Sequence, residues 1–269
     1  MNDLHSNFAV SKSIESSMTI TGEFVTDTLV IGDTTVEPME TGIPNVDAAQ
    51  NIIGLGYGET NSSFISLTEA LVDAGTIKSP ACMYMGNPLH STSTEVSQDE
   101  KQGKAFRVNM TSFSINETPV FPEGLSKQAL LDPSLSYTYV PESIAQDIFS
   151  QLGATETPTS GPVSIPCNTT FSVTTLTFEF RAASFKLDIG LFVGTRSVFN
   201  EEDICYLGTV AKTDTKDANS VGLGASFLQQ IYTVYTMGNN EISLAQRNWN
   251  SNEDEILEIT FLIWALFCL

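Results

Sequence analysis

The 269-residue chain is predicted to be mostly β, with a few short helices. Short runs rich in β-branched and aromatic residues alternate apolar and polar side chains, as strands with one buried face do. Gly, Pro, Asn and Asp separate these runs, and only two segments show helical periodicity. With 41% hydrophobic residues, including 16 Phe, the chain can bury a sizeable core.

The strand pattern is clearest in five segments, which lie well apart along the chain. They are residues 24–31 (FVTDTLVI), 106–115 (FRVNMTSFSI), 171–180 (FSVTTLTFEF), 185–193 (FKLDIGLFV) and 231–236 (IYTVYT).

Helices are predicted at residues 66–74 (SLTEALVDA) and 143–152 (SIAQDIFSQL). Each is followed by a glycine, Gly75 or Gly153, at the position after a helix end that favours glycine. Two polar stretches, residues 90–104 and 154–166, are predicted to be loops. The first of them is the candidate boundary between two lobes.

The charge balance excludes two classes of partner. There are 32 acidic and 12 basic side chains, which give a formal net charge of -20. Binding to nucleic acid or to an anionic membrane surface needs a surplus of Lys and Arg. Only 16% of the residues are charged, so solubility depends largely on hydroxyl and amide groups, a pattern typical of secreted β-proteins that work in acidic media.

The cysteines and histidines argue against a metal centre. The four cysteines include no C-x-x-C pair, and the two histidines, His5 and His90, cannot form a His-rich site. We therefore expect neither a metal nor a cofactor. The first twelve residues contain no basic segment followed by an apolar one, so no signal peptide is visible in this chain.

The tail of the chain, residues 251–269, differs from the rest because its last fourteen residues (ILEITFLIWALFCL) are almost all apolar. Fourteen residues are too few to cross a bilayer unaided. A signal for a GPI anchor, a packed terminal strand and an erroneous end of the reading frame all remain open, and a membrane is expected as a partner only in the first case.

Seven parts of the chain carry recognisable motifs. They are residues 21–32 (TGEFVTDTLVIG), 52–57 (IIGLGY), 66–78 (SLTEALVDAGTIK), 129–132 with 137–144 (ALLD, YTYVPESI), 205–208 (CYLG), 224–228 (GASFL) and 239–246 (NNEISLAQ). In this order they resemble the pepsin-like aspartic endopeptidases of the yeast secreted or cell-surface type.

The resemblance implies a bilobal pepsin-like fold with a polypeptide substrate or ligand in the cleft. Residues 1–95 would form an incomplete N-terminal lobe, 96–250 the C-terminal lobe and 251–269 the apolar tail. It also implies an extracellular or cell-surface location and a monomeric state.

The family's chemistry needs two aspartates, each in a D-[TS]-G turn. Two carboxylates that share one proton can both deprotonate water and protonate the scissile carbonyl, which one carboxylate cannot. This sequence contains no such turn; Asp27, Asp33 and Asp214 are each followed by Thr without the Gly.

By register, the resemblance implies that Asp132 is the catalytic aspartate of the C-terminal lobe, since Leu130 and Leu131 precede it. Pro133 and Ser134 follow it in place of Thr or Ser and Gly, so an ordinary Asp-Pro-Ser turn is the alternative.

The same register implies that the partner aspartate is missing from the N-terminal lobe. Gly224 lies 92 residues after Asp132, whereas the corresponding Gly54 lies only 53 residues after Met1. The partner would therefore precede Met1. Residues 14–18 (IESSM), at the place of the family's flap, have neither its Tyr nor its Gly.

The resemblance further implies a disulfide between Cys167 and Cys205, with two free thiols in a reducing compartment as the alternative. Cys82 and Cys268 are then unpaired. Four N-x-[ST] sequons are candidate glycosylation sites if the chain enters the secretory route. Their asparagines are Asn61, Asn109, Asn116 and Asn168.

Three functional hypotheses follow. The first is an aspartic endopeptidase that cleaves peptide bonds at acid pH, of which this chain is an incomplete or inactive version. The second is a catalytically dead pseudo-protease that acts as a secreted or cell-surface peptide-binding module. The third, a homodimer with two copies of Asp132, is disfavoured by Pro133, Ser134 and the two-lobe register.

Overall fold

The structure is a computed structural model, and it describes residues 2–11, 19–45, 55–56, 65–77, 82–83, 87–95, 106–121, 126–154, 161–168, 173–181, 183–196, 204–212, 219–237 and 240–248. These residues form eighteen strands and three short α-helices. The mostly β class that the sequence predicts is therefore confirmed.

The elements are numbered in chain order. The strands are β1 (Asn2–Ser11), β2 (Thr19–Ile31), β3 (Thr34–Pro44), β4 (Cys82–Met83), β5 (Asn87–Glu95), β6 (Arg107–Ile115), β7 (Thr118–Phe121), β8 (Lys127–Leu131), β9 (Thr138–Pro141), β10 (Ser164–Ile165), β11 (Thr175–Phe180), β12 (Ala183–Asp188), β13 (Val193–Arg196), β14 (Ile204–Leu207), β15 (Thr209–Lys212), β16 (Val221–Leu223), β17 (Ile231–Thr236) and β18 (Glu241–Asn248). The helices are α1 (Leu67–Asp73), α2 (Glu142–Gln151) and α3 (Ala225–Leu228).

The chain divides into two compact units. The first unit contains Met1–Ala81, Gln98–Ala105 and Thr236–Asn239. The second unit contains Cys82–Ser97, Phe106–Tyr235 and Asn240–Leu269.

Both predicted helices are present and end as the sequence indicates. The Ser66 side chain accepts a hydrogen bond from the Glu69 amide, and the Glu69 carboxylate accepts one from the Ser66 amide, so α1 begins with a capping box. Gly75 and Gly153 follow α1 and α2 with φ of +69° and +68°, a left-handed conformation that glycine adopts without a Cβ penalty.

Predictions of local structure are wrong at three places, the shortest of which is β10, inside the predicted loop 154–166. Residues 185–193 do not form one strand, because β12 ends at Asp188 and a 3-10 turn follows over Ile189–Phe192. The Asp188 carboxylate accepts a hydrogen bond of 2.7 Å from the Gly190 amide, which stabilises this turn. Within the predicted loop 90–104, residues 90–95 belong to β5, because backbone pairing with β18 overrides their polar composition.

The first unit contains a three-stranded sheet in the order β1-β2-β3. β2 and β3 form a long hairpin that turns at Gly32, whose φ is +58°. Helix α1 packs on this sheet. The small core consists of Val36, Met39, Leu67 and Ala70.

The second unit contains the large core and three sheets. Its eight-stranded sheet has the order β12-β11-β6-β8-β16-β9-β15, with β7 paired to β6. Two smaller sheets have the orders β10-β14-β13 and β4-β17-β18-β5. Phe178 lies at the centre of the core, with its ring 4.6 Å from Phe113, 5.7 Å from Phe192 and 4.9 Å from Phe227.

The second unit also contains the expected disulfide. Cys167 and Cys205 are bonded, and their Cα atoms lie 5.1 Å apart. Cys205 is buried on β14, between β10 and β13. The side chains of Cys82 and Cys268 lie outside the described residues.

Among the residues that the structure describes, no helix is both long enough and apolar enough to cross a lipid bilayer. The apolar tail, residues 251–269, lies outside that part of the chain.

We expect the disulfide to contribute about 3 to 4 kcal/mol to the free energy of unfolding, because it closes a loop with a sequence separation of 38. The measurement is urea unfolding of the oxidised chain against the Cys167→Ala, Cys205→Ala double variant. Dithiothreitol should lower the urea midpoint of the parent and leave that of the double variant unchanged. Equal midpoints for parent and variant would contradict the assignment.

Candidate active site

The candidate site is built on a strand that is inserted between two others. The chain leaves β8 at Asp132, turns, and returns as β9, but β8 and β9 are not neighbours because β16 lies between them. β16 runs parallel to β8, with Leu223 opposite Leu131, and contacts β9 through Gly222 and Tyr139. The segment after β8 must therefore pass over the end of β16.

Asp132 lies at the start of this segment, and hydrogen bonds of its backbone amide and carbonyl hold it in place. Its amide donates to the Leu223 carbonyl at 3.1 Å, and its carbonyl accepts from the Leu135 amide at 3.1 Å. The side chain is half-buried, whereas Pro133 and Ser134 are exposed. The Asp132 Oδ1 atom accepts a hydrogen bond of 2.9 Å from the Ser134 amide. The carboxylate is thus oriented by one backbone donor, and Pro133 has no amide hydrogen to supply another.

Gly224 allows the chain after β16 to approach closely the segment that follows Asp132. A Cβ at this position would lie 2.5 Å from the Leu135 carbonyl oxygen and closer still to that of Tyr137. The next amide, that of Ala225, donates to the Leu135 carbonyl at 2.7 Å. The residue after β16 therefore has to be glycine for reasons of space.

Hydrogen bonds of two hydroxyl groups stabilise the segment that follows the Asp132 turn. Ser226 Oγ donates to the Gly208 carbonyl at 2.9 Å and lies 3.0 Å from Thr138 Oγ1. The Thr138 amide also donates to the Gly208 carbonyl at 2.8 Å. These hydrogen bonds connect the start of β9, the start of α3 and the residue before β15 to one another near the Asp132 turn.

A buried tyrosine, Tyr235, lies in the same unit as Asp132. Tyr235 is 5% exposed, and its ring centroid lies 4.3 Å from that of Phe106. Burial, and after it the charge of Asp132, raise the pKa of the Tyr235 hydroxyl well above its usual range. Tyr235 cannot be recognised from the sequence, where it is one more aromatic residue in a strand.

The other aspartates that come nearest to the family motif occupy different positions. Asp27 is exposed on β2, where its carboxylate accepts from the Thr28 amide, and Asp33 is exposed in the β2–β3 turn. Asp214 lies outside the described residues, as do residues 14–18 at the expected place of the flap.

Three of the four candidate glycosylation sites are exposed: Asn109, Asn116 and Asn168. Asn116 has a φ of +47°, and its Oδ1 atom accepts a hydrogen bond from the Thr175 amide. Asn61 lies outside the described residues.

In the described part of the site, one oriented carboxylate, that of Asp132, is available for chemistry. A half-buried carboxylate with a backbone donor can hold a water molecule and accept its proton. Protonating a carbonyl in the same step requires a second acid, which this turn does not supply.

Comparisons with known proteins identify the family of this chain. Residues 6–247 match the family model described as eukaryotic aspartyl protease. The chain is 30% identical to "Probable aspartic-type endopeptidase opsB" of Aspergillus oryzae, over 88% of this chain and 55% of that protein. It is 24% identical to "Aspartic proteinase 3" of Saccharomyces cerevisiae, over 89% of this chain and 48% of that protein.

A solved structure shows the same fold. The crystal structure of aspartic proteinase from Irpex lacteus superposes with a TM-score of 0.72 and 16% identity, over 93% of this chain and 84% of that one. The pepsin-like fold expected from the sequence is therefore confirmed. The chain spans about half the length of the curated relatives it matches.

The close approach at Gly224 gives a test of the site's framework. We expect Gly224→Ala to lower the free energy of unfolding by about 2 to 3 kcal/mol, because the new methyl group overlaps two carbonyl oxygens. Urea unfolding measures the change. The matched control is Gly194→Ala on β13, where a Cβ meets nothing within 4 Å and a change within about 0.5 kcal/mol is expected. Equal effects of the two substitutions would contradict the described packing.

Proposed function

Because the chain belongs to the eukaryotic aspartyl protease family, we propose that it comes from an aspartic endopeptidase that hydrolyses peptide bonds at acid pH, with Asp132 as one of two catalytic carboxylates. The observation that carries this proposal is the position of Asp132 at the end of β8. There its backbone is held by Leu223 of the inserted strand while its carboxylate remains half-exposed. A polypeptide is the substrate class.

In the proposed reaction the two carboxylates share one proton. The ionised carboxylate takes a proton from the attacking water, and the protonated one donates to the carbonyl oxygen of the scissile bond. Like charges at about 3 Å disfavour double ionisation, which keeps one carboxyl protonated in mild acid.

We further propose that these 269 residues do not cleave peptides by themselves. No D-[TS]-G turn occurs among them, and the only aspartate in family register is Asp132. A second aspartate has to come from sequence outside this chain.

A pseudo-protease that binds peptides is the second candidate function. The observation that favours it is the Pro133–Ser134 pair, which replaces a backbone donor and a glycine in the turn after Asp132.

The first test is cleavage of a fluorogenic peptide library between pH 3 and 6. We expect the 269-residue chain and its Asp132→Asn variant to be equally inactive, because a single carboxylate lacks its acid partner. The same chain, extended by the coding sequence upstream of Met1, should cleave peptides, and Asp132→Asn should then abolish that activity.

Two results would decide against parts of this proposal. Activity of the 269-residue chain that is sensitive to a pepstatin-type inhibitor would contradict its inactivity. An inactive extended chain that still binds peptides would favour the pseudo-protease.

We also propose that the protein is extracellular or lies at the cell surface. The disulfide supports this location, since such bonds persist in oxidising compartments. The exposure of Asn109, Asn116 and Asn168 makes these sequons accessible to the glycosylation machinery.

For a secreted form made in yeast, we expect endoglycosidase to lower the apparent mass. The shift should shrink when Thr111→Ala, Thr118→Ala and Thr170→Ala remove three sequons. Replacing the threonine keeps the Asn116 amide, whose Oδ1 accepts from the Thr175 amide. A mass that endoglycosidase leaves unchanged would contradict passage through the secretory route.

A further inference from the structure

Lys212, the last residue of β15, is buried although it carries a charge. It is 5% exposed, as is Ser220, the residue before β16. Lysine is rarely buried to this degree unless its ammonium group is hydrogen-bonded, because removing a charge from water costs free energy. The contacts of Lys212 include two oxygen atoms of Ser220, since its Nζ atom donates to Oγ at 2.7 Å and to the carbonyl oxygen at 3.4 Å. The ammonium group therefore attaches the end of β15 to the start of β16.

This attachment crosses a strand, because β9 lies between β15 and β16. On one side of β9, Lys212 lies opposite Pro141. On the other side, β9 pairs with β16 through Tyr139 and Gly222. Because these two strands are antiparallel, the same register two residues further brings Ser220 beside Pro141. Proline has no amide hydrogen, so β9 cannot donate to β16 at this point, and the Lys212 side chain supplies a donor instead.

The strand that Lys212 holds in this way is the one that holds Asp132. β16 consists of three residues, Val221–Leu223, and the Leu223 carbonyl at its far end accepts the Asp132 amide at 3.1 Å. Strands are usually about five or six residues long, so β16 has less backbone pairing than most to fix its position between its neighbours. A hydrogen bond from a charged donor at one end of so short a strand therefore affects where its other end lies.

We propose that Lys212 is a positioning residue for Asp132, because it fixes Ser220 and thereby the inserted strand β16, which in turn holds the Asp132 amide. This role rests on the proposed function of Asp132. Hydrogen bonds from a charged donor are about twice as strong as those between neutral groups, and salt screens them little at a buried position. An apolar side chain of similar length would fill the same space without fixing Ser220.

The test is NMR of the full 269-residue chain and of its Lys212→Met variant, which keeps a side chain of similar length and loses the ammonium group. We expect the Asp132 amide to exchange with deuterium about tenfold faster in the variant, because its acceptor on Leu223 is held less firmly. The side-chain carboxyl 13C resonance of Asp132 should shift as well. The Leu207 amide, which donates to the Val163 carbonyl, should change much less.

The matched control is Lys186→Met on β12, which removes an ammonium group from a side chain that is 59% exposed. It should leave both the amide exchange and the carboxyl resonance of Asp132 unchanged. Equal acceleration at Asp132 and at Leu207 in Lys212→Met would mean that Lys212 contributes only general stability, and would overturn the proposal. Unchanged exchange at Asp132 would overturn it as well.

A second variant covers the case in which Lys212→Met does not fold. Ser220→Ala removes the Oγ acceptor and keeps the carbonyl, so we expect about threefold faster exchange of the Asp132 amide, whereas Ser184→Ala at an exposed position of β12 should have no effect. Unchanged exchange in Ser220→Ala would contradict the proposal. Where both variants fold, the double variant should exchange no faster than Lys212→Met, because the two changes remove the same hydrogen bond, and additive effects would contradict that link.

These spectra are recorded on the 269-residue chain and need no peptidase activity. A failure of the proposed function appears in the cleavage assay of the extended chain, whereas a failure of the Lys212 role appears in the spectra, so the two outcomes are distinguishable.

Discussion

The insertion of β16 between β8 and β9 is the constraint on which the site depends. The Leu223 carbonyl accepts the Asp132 amide, and immediately beyond β16 the Ala225 amide donates to the Leu135 carbonyl. These two bonds fix both ends of the segment that carries the candidate aspartate. Gly224 lies between them because no side chain fits at that point. The half-exposed carboxylate is therefore presented by backbone geometry, and the residues around it mainly adjust its orientation.

The electrostatics of the site follow from this placement. The Asp132 carboxylate accepts a hydrogen bond from the Ser134 amide, and its negative charge adds to burial in raising the pKa of Tyr235. The chain as a whole carries a net charge of -20, so its surface repels anions and disfavours nucleic acid as a partner. An acid medium reduces that self-repulsion as carboxylates become protonated, which is consistent with the proposed reaction at acid pH.

Much of the fold could be predicted from local patterns in the sequence. The caps of α1 and α2 follow from Ser66, Gly75 and Gly153, whose preferences are set within one turn of the chain. The strand β5 could not be predicted, because its Ser and Thr side chains resemble a loop and only pairing with distant β18 makes it a strand. The break after Asp188 was missed for the related reason that one carboxylate contact decides it.

The site was only partly accessible from the sequence. Asp132 and the Cys167–Cys205 pair follow from family register, whereas Tyr235 emerges only when β17 and Phe106 are brought together in space. The central claim, that Asp132 is one of two cooperating carboxylates, is tested most directly by inhibitor binding. In the chain extended upstream of Met1, a pepstatin-type inhibitor at acid pH should raise the melting temperature, and Asp132→Asn should remove that increase. An equal increase in the parent and in Asp132→Asn would contradict the claim.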